Sequence, residues 1–479
     1  MITLKELTAG LEPEILRHPE VEIRGISDDS REVHPGFAFI AVPGLHHHGH
    51  EFVREALCRG ASAIIAEKEL PLPEGVGLCV FQDTKKVLPL LAGRFYRFPE
   101  RELKLIGVTG TNGKTSVSFF VKDLLQYFGQ KAGLIGTVGY FCGEEKEPAT
   151  HTTPGPLKLR EILARMLQDG AIYVVMEVSS HALSQGRLAG LSFEVGVFTN
   201  LSRDHLDYHG SMEAYFAAKR LLFENHLSSR GKAVINVVDA WGRRLLADLS
   251  SPVIKVGEDV RGMVIERSRK GFSFRLAYGS QEFTLATTLY GDFQLENLLL
   301  ACSCGLALGY PFAEVVEALR SVSAPPGRLE LVAEKNGALV FVDYAHTPEA
   351  LRRALLSLRP LAERLIVLFG CGGERDRGKR PLMGKVAEEM ADIVILTSDN
   401  PRGEEPQKII SDIIEGMKAR PFVIEDRREA IERALSLLRE GDILLVAGKG
   451  HETYQEVAGK RYPFADQIVI REILSQEAA

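Results

Sequence analysis

The residues best suited to do chemistry form a glycine-rich segment, Thr-Gly-Thr-Asn-Gly-Lys-Thr-Ser at positions 109–116, between a strand-like run and a helical run. Glycines let backbone N–H groups curl around an anion, and the start of the following helix adds positive potential. Lys114 can reach terminal phosphates, and the Thr115 hydroxyl can ligate Mg²⁺. The spacing is the shorter G-x-x-G-K-T, because position 108 is Val rather than Gly. The segment predicts a nucleotide-binding loop made of Gly110, Thr111, Asn112, Gly113, Lys114, Thr115 and Ser116.

A second group of polar residues follows strand-like runs. Glu177 closes the apolar run that begins at position 172, and His205 lies on a loop after the run that ends at Thr199. Open α/β sheets bind ligands at the carboxyl ends of their strands. A carboxylate there suits Mg²⁺, unless it only caps the following turn, whereas imidazole is an unusual Mg²⁺ ligand, which leaves the role of His205 open. Lys219 lies in a helical stretch whose local context predicts a solvent-exposed lysine.

The elements that must position these residues alternate between strand-like and helical runs, which predicts an α/β fold with mainly parallel sheets. A length of 479 residues suggests about three domains. Breaks at positions 97–101 and 325–327 predict an N-terminal α/β domain (1–98), a central phosphate-loop domain (99–326) and a C-terminal Rossmann-like domain (327–479). The region 250–290 has the composition of β-hairpins, and the apolar run 298–313 predicts one buried helix.

Composition excludes several classes of protein. The net charge is only -6, so no strong basic field indicates nucleic-acid or membrane-surface binding. The longest apolar run is shorter than the roughly 18 residues of a membrane span, and the N-terminus has no signal-peptide pattern. The six cysteines form no CxxC pair. These features predict a cytoplasmic chain with free thiols and no membrane span.

Further motifs follow the phosphate loop in a fixed order. They are Glu-Val-Ser-Ser-His at 177–181, Asn-Leu-Ser-Arg-Asp-His-Leu-Asp-Tyr-His-Gly at 200–210, Asn297, Pro-Gly-Arg-Leu-Glu at 326–330, Asp-Tyr-Ala-His-Thr-Pro at 343–348 and Gly-Lys-Gly-His-Glu at 448–452. With these motifs the chain resembles the Mur ligase family over essentially its whole length. Each motif alone is a weak signal, but the ordered set is highly specific.

The resemblance implies a reaction and its cofactors. In this family ATP phosphorylates a carboxylate to an acyl phosphate, and an amine then displaces phosphate to form an amide. The resemblance implies that Thr115, Glu177 and His205 hold Mg²⁺, together with Lys219 as a carbamate formed from CO₂. It also implies that Asn297 lies near adenine, Arg328 at the phosphates and Asp343 at the ribose, with His346 near the nucleotide in a role we cannot assign. By itself, Arg328 is also compatible with a salt bridge at a domain boundary.

The resemblance also implies the first substrate, the peptidoglycan precursor UDP-N-acetylmuramoyl-L-Ala-D-Glu. Ser30 and Arg31 match the segment of the family that binds uridine. Hydroxyl, amide and guanidinium groups suit the remaining polyanionic part of this ligand. The residues that match family contacts to it are Thr152, Thr153, Ser180, Gln185 and Arg187.

The amino acid to be added is indicated by Asp-Asn-Pro-Arg at 399–402. Meso-diaminopimelate differs from lysine by one carboxylate, which an arginine can bind bidentately. The resemblance therefore implies diaminopimelate as the second substrate of a monomeric enzyme. The residues that match its contacts are Arg375, Asp399, Asn400, Arg402, Gly448 and Glu452, with Glu452 at the distal ammonium.

Three alternatives remain open at this point. The same ligase could use L-lysine, although Arg402 argues against it. A folylpolyglutamate synthetase resembles the second and third domains but lacks this kind of N-terminal domain and the Asp-Asn-Pro-Arg segment. A phosphate-loop regulator without catalytic activity has no need of Glu177, His205 and Lys219 together.

Overall fold

The computed structural model describes residues 2–44, 47–143 and 145–477. The chain divides into two compact units. The first unit comprises Met1–Val256 and Ser303–Tyr310, and the second comprises Gly257–Cys302 and Pro311–Ala479.

The first unit opens with a five-stranded sheet, in which four strands are parallel and one edge strand is antiparallel. The order across the sheet is Ile15–Arg17, Gly77–Val80, Ala63–Ala66, Phe37–Ile40 and Gly25–Ser27. The helices here are Leu4–Thr8, Val53–Cys58 and Thr84–Phe95, with short 3₁₀ turns at Ser30–Glu32, Gly49–Phe52 and Pro99–Arg101 and a two-stranded pair, Ile2–Thr3 with Glu22–Ile23. Apolar side chains pack on both faces of the sheet, so its four parallel strands are largely buried, whereas the edge strand Ile15–Arg17 is partly exposed.

A larger, mainly parallel sheet carries the phosphate loop. The order of its strands in the first unit is Glu145–Glu147, Gly139–Cys142, Ala132–Gly136, Tyr173–Glu177, Lys104–Thr109, Phe193–Phe198, Leu227–Asn236 and Val253–Val256. The six strands from Ala132–Gly136 to Val253–Val256 are parallel, and the first two are antiparallel. The helices are Lys114–Tyr127, Pro156–Gln168, Ser180–Ser184, Leu206–His209, Met212–Asn225 and Ala240–Ala247.

Parallel pairing places the carboxyl ends of the central strands at one edge of this sheet. Strand Lys104–Thr109 is buried at every position after Lys104, as expected for a parallel strand covered on both faces. Strands Tyr173–Glu177 and Phe193–Phe198 pair with it on either side. The phosphate loop, Glu177 and the loop after Phe198 therefore begin at the same edge.

The second unit begins with an antiparallel meander of Val260–Ser268, Gly271–Tyr278 and Gln281–Thr287. This region matches the predicted β-hairpins. The apolar run 298–313, predicted as one buried helix, is instead divided between helices Phe293–Ala307 and Phe312–Leu319. Gly309 adopts a left-handed φ of 92°, and Pro311 precedes the second helix. Gly309 ends the first helix because its φ is not helical, and Pro311, which has no N–H donor to continue that helix, is the N-cap of the second.

A six-stranded sheet fills the rest of the second unit. The order across it is Glu330–Lys335, Ala338–Asp343, Ile443–Ala447, Leu365–Phe369, Ile393–Leu396 and Phe422–Val423. The last five strands are parallel, and Glu330–Lys335 is antiparallel at the edge. The other elements are helices Pro348–Leu358, Lys379–Met390, Pro406–Ile414, Arg427–Ser436 and Asp466–Glu477, the 3₁₀ turn Arg359–Leu361 and the hairpin Tyr454–Val457 with Lys460–Pro463.

Most sequence-predicted elements are confirmed to within a few residues, among them the strands that begin at Ala338, Leu365, Ile393 and Ile443. The α/β fold class with mainly parallel sheets is confirmed. The exact domain boundaries after residues 98 and 326 stay predictions. None of the helices in the described parts of the chain has the length and apolar character needed to cross a bilayer.

Candidate active site

The phosphate loop is shaped by two glycines in the left-handed half of φ space. Gly110 has a φ of 149° and Gly113 a φ of 85°. A Cβ atom at Gly110 would overlap the hydroxyl of Thr199, which donates to the Asn112 carbonyl at 2.6 Å. Gly113 is the N-cap of the helix that Lys114 begins. Within the loop, Thr111 N donates to the Asn200 carbonyl at 2.9 Å and Asn112 N donates to Asn200 Oδ1 at 3.0 Å. The first turn of the helix after Gly113 is therefore the part suited to bind an anion.

Two lysines converge on one carbonyl of this loop. Lys114 Nζ donates to the Gly110 and Thr111 carbonyls, both at 2.9 Å, and Lys219 Nζ donates to the same Gly110 carbonyl at 2.8 Å. Lys219 lies 4.5 Å from the centre of the Tyr215 ring. Burial, with the charge of Lys114 as the second cause, lowers the pKa of Lys219 well below its usual value.

The expectation that Lys219 is solvent-exposed is wrong. Its side chain is 1% exposed. Tyr215, Lys219 and Leu222 recur at helical spacing on the face of helix Met212–Asn225 that packs inward, and all three are buried. The local sequence did not reveal this, because a lysine among alanines is equally compatible with the exposed face.

Glu177 lies at the end of its strand, 1% exposed, and is held by hydroxyl and amide donors. Its Oε2 accepts hydrogen bonds from Thr115 Oγ1 and Thr137 Oγ1, both at 3.1 Å, and its Oε1 accepts one from Thr137 N at 2.9 Å. Thr153 Oγ1 donates to the Glu177 carbonyl at 2.8 Å. A buried carboxylate beside a threonine hydroxyl is a set of hard oxygen donors that fits Mg²⁺.

His205 has a left-handed φ of 51° and precedes the short helix Leu206–His209. The ring is half-exposed, with Nε2 3.5 Å from Asp204 Oδ2. Partial burial lowers its pKa; Asp204 opposes the shift, and the positive charges of Lys114 and Lys219 add to it. The neutral ring that results is the form that ligates metals. Within the described residues no group of three or more His, Cys, Asp or Glu is arranged to hold a metal.

The residues predicted to hold the sugar diphosphate and peptide are brought together around Tyr208. Gln185 Nε2 donates to Tyr208 OH at 3.2 Å, and Arg187 Nε donates to Gln185 Oε1 at 2.9 Å. Arg187 Nη1 also donates to the Thr153 carbonyl at 2.8 Å. The further contacts in this cluster are Thr152 Oγ1 to Thr137 Oγ1 at 3.1 Å and Ser180 Oγ to His209 Nε2 at 2.9 Å.

The predicted uridine-binding pair lies on the 3₁₀ turn that follows strand Gly25–Ser27. Ser30 is buried and its Oγ donates to Glu55 Oε2 at 2.7 Å. Arg31 is largely exposed and pairs with Asp29, with Nη2 to Oδ2 at 2.6 Å.

Three predicted nucleotide residues of the second unit, Arg328, Asp343 and His346, lie around the end of strand Ala338–Asp343. Asp343 accepts hydrogen bonds from Leu329 N at 2.7 Å and Ala345 N at 2.8 Å, and desolvation raises the pKa of its carboxyl. The Arg328 guanidinium lies 4.9 Å from the centre of the Tyr344 ring. His346 Nδ1 is 2.9 Å from the Tyr344 carbonyl. Asn297 is buried on its helix, where its Nδ2 donates to Gln294 Oε1 at 2.9 Å.

The residues predicted to bind the amino-acid substrate lie on three loops of the second unit, each of which follows the carboxyl end of a parallel strand. Arg402 adopts a left-handed φ of 52°, and its Nη1 donates to the Gly373 carbonyl at 2.8 Å. Its Nε lies 3.7 Å from Glu456 Oε2. Asn400 Nδ2 donates to Glu452 Oε2 at 2.8 Å. The Arg402 backbone also pairs with the hairpin strand Tyr454–Val457, so the hairpin fixes the loop.

Glycines allow the same loops to approach closely. Gly448 has a φ of 109°, and a Cβ atom there would lie 2.8 Å from Asp399 Oδ2. Arg375 is exposed on the loop before helix Lys379–Met390. Arg380, fully buried, donates to Glu404 and Asp412 and so joins the Arg375 loop to the loop after Arg402.

Several residues that support these groups were missed from the sequence. Thr137 holds both oxygens of Glu177, and Tyr208 orders Gln185. Thr137 directly follows strand Ala132–Gly136, so its position at a strand end was the available signal. Lys449 is fully buried among the residues predicted to bind the amino-acid substrate. It lies inside the Gly-Lys-Gly-His-Glu motif, but no role was predicted for it from the sequence.

Three family models match successive parts of the chain. The model described as Mur ligase family, catalytic domain matches residues 22–96. The Mur ligase middle domain matches residues 108–305, and the Mur ligase glutamate ligase domain matches residues 327–450. The three matches fall inside the three domains predicted from the sequence.

Curated relatives match almost the full length. The chain is 43% identical over 457 residues to the UDP-N-acetylmuramoyl-L-alanyl-D-glutamate–2,6-diaminopimelate ligase of Aquifex aeolicus strain VF5, covering 94% of each protein. It is 46% identical over 458 residues to the protein of the same name from Pseudomonas aeruginosa, covering 93% of each. A solved structure of a ligase with this name is 35% identical, with a TM-score of 0.70 and coverage of 100% of this chain and 99% of that one.

Proposed function

Because the chain belongs to the Mur ligase family, we propose that it is the ATP-dependent ligase that adds meso-diaminopimelate to the D-Glu side-chain carboxylate of UDP-N-acetylmuramoyl-L-Ala-D-Glu. The products are the tripeptide precursor, ADP and phosphate, and the reaction belongs to peptidoglycan precursor synthesis. The observation that carries this proposal is the near-full-length identity to proteins named for this reaction. The three-domain architecture of the family accounts for binding a nucleotide, a nucleotide sugar and an amino acid on one chain.

The first step transfers the γ-phosphoryl group of ATP to the D-Glu carboxylate. Transfer between two anions requires positive charge and alignment more than covalent help from the protein. Lys114 supplies charge by turning from the loop carbonyls toward the terminal phosphates, and the N–H groups after Gly113 hold the phosphate chain. The P–O bond to ADP breaks as the P–O bond to the carboxylate forms, which leaves ADP and an acyl phosphate.

The residues that would hold Mg²⁺ are Thr115, Glu177, His205 and Lys219. Mg²⁺ bound by them neutralises charge on the phosphates during transfer. Lys219 reaches this role as a carbamate: its neutral amine forms an N–C bond to CO₂ and releases one proton. The change replaces a buried cation by a carboxylate-like anion, and the burial of Lys219 beside Lys114 favours the neutral amine that reacts.

The second step is attack of the diaminopimelate amine on the acyl carbon. A C–N bond forms, the C–O bond to phosphate breaks, and the amine loses a proton. Arg402 binds the distal carboxylate and Glu452 binds the distal ammonium, which leaves the amine at the other end of the molecule free to react. Arg328 and Asp343 bind the nucleotide, and Thr152, Thr153, Ser180, Gln185 and Arg187 hold the first substrate.

The test is ATP-dependent phosphate release with UDP-N-acetylmuramoyl-L-Ala-D-Glu, offering meso-diaminopimelate or L-lysine in parallel. Strong release with diaminopimelate alone is expected. A preference for lysine would leave the ligase reaction in place but overturn the proposed role of Arg402. No phosphate release with either amino acid would overturn the substrate assignment. Neither L-lysine nor a folate is favoured by the names of the relatives.

A further inference from the structure

Lys449 is a fully buried lysine that the mechanism above does not use. It lies in the loop after strand Ile443–Ala447, two positions beyond the strand end. Its Nζ is 3.0 Å from Asn400 Oδ1, 3.4 Å from Glu452 Oε2 and 3.7 Å from Asp399 Oδ1. A buried ammonium requires compensation by anions and acceptors, and all three of its partners belong to the predicted amino-acid site.

The contacts of Lys449 determine how the Asn400 amide is oriented. Asn400 Oδ1 accepts hydrogen bonds from Lys449 Nζ and from Glu456 N, the latter at 2.9 Å. A flipped amide would put its NH₂ group against these two donors, so Nδ2 must point the other way, where it donates to Glu452 Oε2 at 2.8 Å. Glu452 Oε2 is thus held by both neighbours. Within the described residues no hydrogen bond is assigned to its other oxygen, Oε1.

The charges of the cluster leave room for one more cation. Asp399 and Glu452 carry two negative charges, and Lys449 carries one positive charge. The nearby Arg427 is already compensated by Asp466, with Nε to Oδ1 at 2.7 Å, and the Tyr344 phenol has its pKa raised to about 12 and stays neutral. Lys379 also interacts electrostatically with Asp399, so Glu452 is the carboxylate left to accept an incoming ammonium.

Resting on the function proposed above, we propose that Lys449 is a positioning residue of the amino-acid site. It holds Asn400 and Glu452 in the orientation that accepts the distal ammonium of diaminopimelate. Burial raises the pKa of Glu452, and Lys449 opposes that rise. Without Lys449 the buried Glu452 carboxylate would lose the cation that opposes its desolvation, and the Asn400 amide would lose a contact that fixes its orientation.

The first test is Lys449→Met, assayed by phosphate release with each substrate varied in turn. The KM for diaminopimelate should rise at least about tenfold, as expected for the loss of a charge-assisted contact, and the KM for ATP should change far less. Lys385→Met, an exposed lysine on helix Lys379–Met390, is the matched control and should behave as wild type. An unchanged KM for diaminopimelate, or an equal rise in both KM values, overturns the proposal.

A double-mutant cycle with Glu452→Gln separates positioning from general damage to the domain. If Lys449 acts through Glu452, the double variant should have the same KM for diaminopimelate as Glu452→Gln alone. The double variant also removes one charge of each sign, so it tests the proposal even where Lys449→Met folds poorly. Additive penalties overturn it.

Replacing diaminopimelate by hydroxylamine, a small nucleophile that traps acyl phosphates, gives an internal reference. The ratio of diaminopimelate-dependent to hydroxylamine-dependent turnover should fall at least about tenfold in Lys449→Met. An unchanged ratio would show that Lys449 serves the whole domain and overturn the proposal. Failure of the proposed function is distinct, since wild-type protein would then release no phosphate with diaminopimelate.

Discussion

At the scale of single residues, the molecule places charged groups where water cannot compensate them. Lys219 and Lys449 are almost completely buried, and each is held by oxygen atoms of a predicted substrate or metal site. Burial of a charge costs free energy unless partners compensate it, so such positions are more typical of function than of stability. The residue-scale predictions follow from these environments.

Lys219→Met should lower turnover by at least about a hundredfold, because removing a single stabilising group around a transferring phosphoryl typically costs that much. The variant keeps the buried volume and removes the amine that reacts with CO₂. Incubation of wild-type protein with ¹³C-bicarbonate should give a carbamate signal in the ¹³C NMR spectrum. The control Lys122→Met, on helix Lys114–Tyr127, should keep both signal and activity. Full activity of Lys219→Met would contradict the carbamate.

Arg402→Met should weaken diaminopimelate binding by about 10- to 100-fold, since hydrogen bonds to charged groups contribute about 1.5–3 kcal/mol. The preference of the variant for diaminopimelate over L-lysine should fall as well. L-lysine has no distal carboxylate for Arg402 to bind, so the substitution should not weaken its binding in the same way. Steady-state kinetics with both amino acids measures the change, and the exposed Arg428→Met is the reference. A variant that still rejects lysine as strongly as wild type would show that specificity lies elsewhere.

At the scale of elements, buried arginines join the loops that follow parallel strands. Arg427 donates to Asp466 and to the Ala447 and Ser398 carbonyls, so two helices and two strand ends meet at one guanidinium. Arg380 joins the loops on either side of the amino-acid site in the same way. The loops are therefore fixed by the sheet that carries them, which suits a site that must distinguish one carboxylate.

Arg427→Met should destabilise its unit by about 3–5 kcal/mol, because it leaves the fully buried Asp466 carboxylate without its partner. Urea unfolding followed by circular dichroism measures the loss. The neighbouring Arg428 pairs with Glu472 on the surface, so Arg428→Met should cost less than about 1 kcal/mol. Adding Asp466→Leu to Arg427→Met should recover much of the stability. Equal losses of stability in Arg427→Met and Arg428→Met would contradict the role of the buried Arg427–Asp466 pair in joining the helices and strand ends.

At the scale of the whole molecule, a ligand that binds only the folded chain raises its stability by mass action, about 2.7 kcal/mol at a hundred times its dissociation constant. The phosphate loop lies between a buried strand and a helix with a buried apolar face in the first unit, so a nucleotide bound there should oppose unfolding of both elements. The net charge of -6 offers nucleotide no general attraction, which makes the effect specific to the loop.

Saturating MgATP should therefore raise the melting temperature of the wild-type protein by several degrees. Lys114→Ala should lose most of this shift while melting at nearly the same temperature without nucleotide. The exposed Lys86→Ala is the control and should keep the full shift. Differential scanning fluorimetry measures all three, and an equal shift in Lys114→Ala would show that nucleotide stabilises the protein through another site.

The sequence by itself determined the features that depend on local pattern. Phosphate-loop spacing, apolar runs and turn residues fix the order of strands and helices, and the ordered motifs identify the family. Even the misjudged run at 298–313 contained its own break at Gly309 and Pro311. Arg402 was likewise recognisable, because its neighbours in sequence form part of the motif.

Only the tertiary structure decided which polar side chains are buried and what they touch. The local context of Lys219 predicted a surface lysine, and only the resemblance to the family gave it a role at the metal. Lys449 and Thr137 had no predicted role. Packing places all three against residues at least 40 positions away in the chain. The physical reason is that the cost of burying a charge or a hydroxyl, and the partners that offset it, depend on contacts between distant segments. Local sequence specifies which element a residue joins, whereas the packing of elements specifies the environment of its side chain.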